Sequence, residues 1–239
     1  MDWVHKILQY WEAYYYTEPF EIICLIIALI TGIAFAKKEF VITLFLIYTL
    51  AGLASILYAI YITHISDFEP TRRGSHIAIS NLIVSYIEMS AFMVFFYHIF
   101  NIKGIRYLIK FSFLLCSLVN LAILFHIIFF EVSHTQLRRV SNSFITIQLT
   151  PLLVLCFYYY YQILNLRSTE DLIGRPSFWI TTSLFFYILL IIPFILAYEE
   201  LRTNRIPLTR IYFSTHYFVF GIIFIALSNG FICKKPITT

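Results

Sequence analysis

The sequence predicts an all-α integral membrane protein, a bundle of seven transmembrane helices. Three observations carry that expectation. The 239-residue chain is 60% hydrophobic and only 13% charged, about half the charged share of an average soluble domain. Seven apolar runs occupy 20–36, 40–62, 77–100, 107–130, 143–164, 177–198 and 211–232, each near the roughly 20 residues a helix needs to cross a bilayer. The runs are continuously apolar, without the alternation that strands of a membrane barrel would show. Their Ile, Phe and Tyr content does not argue for strands. In lipid each backbone group needs a partner inside its own segment, and a helix supplies one.

Residues 1–18 are expected to form an interfacial amphipathic segment, and 19–239 a single seven-helix domain. In the first segment Trp3, Ile7, Tyr10, Trp11 and Tyr14 recur three or four apart, the spacing of a helix lying flat with aromatic anchors at headgroup depth. Asp2, Lys6 and Glu12 interrupt it, so it is not a cleavable signal peptide. Lys37-Lys38 close the first span. The longest connection, His64 to His76, follows the second, and Glu88 lies near the middle of the third. The fourth carries Asn120 and His126. The fifth carries Gln148, Thr150 and Pro151, and ends in Tyr158–Tyr161, which read as an aromatic belt. Pro176 opens the sixth span with Trp179 as an interface anchor, and Pro193 falls in its later half. The seventh carries Thr215 and His216. The cysteines Cys24, Cys116, Cys156 and Cys233 have no metal-type spacing and read as small apolar residues.

Seven spans put the termini on opposite sides. The N-terminal side collects eight Lys or Arg and the C-terminal side nine, so the positive-inside count alone does not decide orientation. The C-terminal side holds only three acids against nine, and its basic pairs sit in shorter loops. The N-terminus is therefore expected outside and the C-terminus in the cytoplasm of a bacterial inner membrane.

Among charged residues, only Glu88 lies deep inside a span by this reading. A charge at that depth costs at least about 2.5–3.5 kcal/mol, so Glu88 must face the interior, pair, or carry a proton. Asn81, Ser85 and Glu88 are four and three apart and share a helix face. Asn120 is the expected partner by depth. A second set, Asn81, His126, Gln148, Thr150, Thr215 and His216, falls toward the outer half and would line a pocket open to that side. The same residues also fit a plainer reading, in which polar side chains act as glue between helices or collect where water is close. His5, His64, His76, His126, His134 and His216 all fall on the outer side, but none has the i, i+4 partner of a metal motif.

Several chemistries find no support. The seventh span holds no lysine for a retinal Schiff base. There is no Gly-rich phosphate loop, no H-E-x-x-H and no G-x-S-x-G. A membrane hydrolase with a histidine-bound metal would need converging histidines, yet position 220 is Phe where a partner for His216 would stand. No catalytic residue, cofactor or resident metal is expected. The basic residues are spread over helix ends, which excludes a nucleic-acid face. The glycines are few, seven in all, and no GxxxG marks close helix packing.

Arg175-Pro176-Ser177-Phe178-Trp179-Ile180, followed by Tyr187 and Pro193, together with Asn81 and Glu88, resembles small bacterial seven-helix membrane proteins. These look like the membrane input modules joined to, or encoded beside, sensor histidine kinases. The resemblance implies a non-enzymatic sensor or receptor-like module. The chain shows no kinase or dimerisation helix after its last span, so a cytoplasmic partner such as a histidine kinase would carry the signal. A proton- or ion-linked transporter using Glu88 is the first alternative, and an integral membrane hydrolase the second.

Overall fold

The computed structural model describes residues 17–35, 40–65, 70–129, 134–165, 172–204 and 206–233. Every regular element among them is helical: α1 Thr17–Phe35, α2 Phe40–Ile60 with a π turn over Tyr61–Ile65, α3 Pro70–Ile99, α4 Lys103–Phe129, α5 His134–Asn165, α6 Pro176–Asn204 and α7 Ile206–Ile232. Of the expected interfacial segment, residues 1–16 lie outside the described residues. Five helices are long and apolar enough to cross a membrane: Phe40–Thr63, Ser75–Ile99, Lys103–Ile127, Ser143–Asn165 and Pro176–Pro193. Pro19–Phe35 and Phe220–Ile232 are shorter apolar stretches.

Helix boundaries follow local chemistry. Pro70 and Pro176 open α3 and α6, where a missing N–H costs nothing. Past the end of α3, Arg106 donates to Phe100 O at 2.6 Å and to Asn101 Oδ1 at 2.9 Å. Pro151 and Pro193 lie inside unbroken helices, each removing one backbone donor. Beside Pro151 the Thr150 hydroxyl folds back onto Thr146 O at 3.0 Å, a local i−4 bond that satisfies the hydroxyl within its own helix.

The helices gather into two compact units, to both of which α2 and α5 contribute residues. The first unit takes α1, α6, α7 and α5 from Cys156 onward. Here α7 packs against both α1 and α6. Phe20 stacks on Phe218 at 5.1 Å, and Tyr187 meets Phe220 edge-on at 4.8 Å. A Cβ placed on Gly221 would stand 2.5 Å from Phe20 Cε1 and 3.1 Å from Cys24 Sγ. The absent side chain is therefore what lets α1 approach α7, although no GxxxG announces it.

The second unit spans Thr43–Leu155. Its core is aromatic. Phe45 of α2 meets Phe92 and Phe95 of α3 edge-on at 5.0 and 5.6 Å. Phe96 stacks on Phe100 with ring planes 6° apart. Ser55 and Ser80 share a hydrogen bond of 2.8 Å, and Tyr58 O–H lies 3.1 Å from His76 Nδ1. These pairs and the Phe45 contacts set α2 antiparallel to α3. α4 is the least covered of the five long apolar helices and exposes Leu114, Leu118, Leu121 and Phe125, a face suited to lipid.

Candidate functional site

The second unit brings together most of the polar side chains singled out in the sequence. Ser85 of α3 donates to Gln148 Oε1 of α5 at 2.6 Å, and Gln148 is buried. Tyr86, next to Ser85, has its hydroxyl 3.2 Å from Ser117 Oγ of α4 and stacks on Phe113. That contact sets the heights. Asn120 lies three residues beyond Ser117 on the antiparallel α4, near the level of Ile83. At 1.5 Å per residue it is within about 3 Å in height of the Ser85–Gln148 bond. Glu88, buried like Asn120, is one turn from Ser85, about 4.5 Å along the axis. Three helices thus contribute to one polar layer with a carboxyl one turn away.

The layer is not internally satisfied. Asn120 Oδ1 and Gln148 Nε2 are buried without a hydrogen-bond partner. Leaving a buried donor or acceptor open costs about 1–3 kcal/mol. Asn120 Oδ1 is thus an open acceptor and Gln148 Nε2 an open donor at nearly one height, each able to take a partner such as water. Glu88 and Asn120 are not joined through Asn120 Oδ1, and Asn120 stands closer in height to Ser85 than to Glu88.

The sequence-derived face and pocket divide accordingly. Ser85, Asn120 and Gln148 form the layer with Glu88 one turn away, whereas Asn81, His126 and Thr150 are exposed on their helices. Thr215 and His216 belong to α7 in the first unit, and their side chains lie outside the described residues, as do those of His5, His64 and His134. His76 meets Tyr58. Among the described residues no three His, Cys, Asp or Glu side chains are placed to hold one metal ion.

A double-mutant cycle tests the layer. Ser85→Ala and Gln148→Leu are expected to couple by about 0.5–1.5 kcal/mol in unfolding measurements, the range of interhelical hydrogen bonds in membranes. Glu88→Gln and Asn120→Ala are expected to add within about 0.5 kcal/mol. The reverse ranking would mean that the heights above are wrong.

Two features escaped the sequence. Glu21 stands at the edge of an apolar run, where an acid reads as solvated. In the structure it is buried, and its neighbour Phe20 contacts Phe218 and Gly221, the middle of α7. Tyr187 of α6 reaches the same level. The first unit thus holds a deep carboxyl of its own, detectable only once α1 is matched in height to α7. The second feature corrects the aromatic belt. Tyr161 is exposed, but Tyr159 donates to Ser177 at 3.1 Å and Tyr160 to Thr182 at 2.9 Å. Two of the four tyrosines therefore clip α5 to α6.

No protein-family model, curated protein or solved structure matches this chain.

Proposed function

We propose that this chain is a non-enzymatic, sensor-like module of a bacterial cytoplasmic membrane. It crosses the bilayer seven times, with the N-terminus outside and the C-terminus in the cytoplasm. The observation that carries the reading is the polar layer of Ser85, Gln148 and Asn120, one turn from Glu88. Native interiors satisfy their polar atoms, so open ones call for an occupant or a functional state. Filling the open acceptor and donor with a small polar ligand, or changing the protonation of Glu88, alters how α3 packs against α4 and α5. A ligand shifts such packing only by binding one arrangement more tightly than the other. The Ser85 hydroxyl is engaged by a neutral amide and not by a base, which favours binding over bond-making. The change would pass to a cytoplasmic partner, for which a histidine kinase is the candidate.

A proton- or ion-linked transporter is the second reading, favoured by Glu21, which gives each unit a buried carboxyl. Glu88→Gln separates the two. For a sensor, the variant stays folded and loses the stimulus-dependent change in a copurifying kinase, while sealed vesicles show no flux above empty ones. Proton flux that disappears in Glu88→Gln or Glu21→Gln would overturn the sensor reading.

A further inference from the structure

We infer that the first two turns of α4 hold the phosphodiester headgroup of an anionic phospholipid. Lys103, Arg106 and Lys110 are spaced three and four apart and share one helix face. Lys103 and Lys110 are exposed and Arg106 is half-buried. Arg106 Cζ lies 5.0 Å and Lys110 Nζ 5.2 Å from the centroid of the Tyr97 ring. Two cations therefore converge on one ring, with a third a turn away. The acceptors that Arg106 uses, Phe100 O and Asn101 Oδ1, are neutral. Among the described residues no carboxylate pairs with any of the three cations.

Helix stability does not explain this arrangement. The macrodipole disfavours cations in a first turn, and one cation is enough for a cation–π contact with Tyr97. An anion would complete the arrangement. A helical side chain leans toward its helix N-terminus, so the Lys110 stem carries its ammonium toward the end of the apolar span, where snorkelling places charge at headgroup depth. One helix face then carries three cationic donors within two turns, with Arg106 able to offer a phosphate its remaining N–H groups. Ile102, Tyr107 and Phe111 around this end are exposed and offer apolar surface to the acyl chains. Phosphate with acyl chains attached matches both halves of this surface, which free phosphate would not.

The test uses the full chain in nanodiscs of phosphatidylcholine with or without phosphatidylglycerol, with lipid retained on release read by native mass spectrometry. The wild type is expected to keep phosphatidylglycerol in preference to phosphatidylcholine, and less of it as ionic strength rises. Lys103→Gln with Lys110→Gln is expected to reduce that retention by roughly 10–30-fold, the effect of removing two charges at a membrane surface. Lys110→Arg is expected to preserve it, and both variants should unfold at the wild-type temperature, because the two lysines are exposed. Equal retention of the two lipids, or wild-type retention by the double variant, would overturn the proposal. So would displacement of the lipid by inorganic phosphate, which would point to a soluble anion.

Discussion

Replacing Gly221 with valine is expected to separate α1 from α7 and to cost roughly 1–3 kcal/mol or more, the penalty for overpacking a filled interface. The added Cβ would fall 2.5 Å from the Phe20 ring, closer than carbon atoms tolerate. The ring has little freedom to yield, since Phe218 stacks on it and Cys24 Sγ stands 3.1 Å from the same point. Gly221→Ala should lose less. Its clash is offset by about 0.5–1 kcal/mol of backbone freedom removed from the unfolded chain. Gly104→Ala is the control, with open space around it, and is expected to be neutral or slightly stabilising. Thermal unfolding in bicelles reads the order Gly104→Ala, Gly221→Ala, Gly221→Val, from most to least stable. Partial rescue of Gly221→Ala by Phe20→Leu would locate the clash. A Gly221→Val protein as stable as the wild type would mean that α1 does not pack here.

Phe45→Ala is expected to cost about 2–4 kcal/mol. Phe45 is fully buried and anchors α2 on α3 through two edge-on contacts, with Phe92 and with Phe95. Each aromatic pair is worth about 0.5–1.5 kcal/mol beyond area burial. The cavity adds about 24 cal/mol for each Å³ left empty. The transfer part of the usual cost falls away, because a helix separated in lipid keeps its side chains in an apolar medium. That places the estimate somewhat below the roughly 3–5 kcal/mol typical of a water-soluble core. Leu118→Ala, on an exposed face of α4, should stay within about 0.5 kcal/mol of wild type. If the two variants unfold alike, the aromatic core of the second unit does not hold α2 in place.

The candidate site was partly legible in advance. Glu88 stood out because a charge in a long apolar run is costly wherever its helix packs. Ser85 followed from spacing, since three residues on a helix return to nearly the same face. Gln148 entered among residues expected to line a pocket, yet its partner is Ser85, a pairing that no periodicity contains. Asn120 was matched to Glu88 by depth, and the Tyr86–Ser117 contact instead sets it near the level of Ile83. Asn81 has the right spacing, only about 20° around α3 from Glu88, and is still exposed, because burial at its height depends on which helix lies beside it. Glu21 was missed for a related reason. Hydropathy places span edges to within a few residues, and whether an acid at such an edge is wet depends on which helix lies beside it.

Class, element type and the position of each apolar run were readable from the amino acids because lipid constrains every segment separately. Each run must be long enough, apolar enough and hydrogen-bonded within itself. Only tertiary structure decided which polar atoms meet, which are left open, how deep Glu21 lies and why Gly221 has no side chain. Helices already in lipid gain little hydrophobic energy from pairing, so shape and hydrogen bonds choose their partners. Those choices depend on contacts between residues far apart in the chain, such as Ser85 with Gln148 and Phe20 with Gly221, which leave no periodic trace in either helix alone.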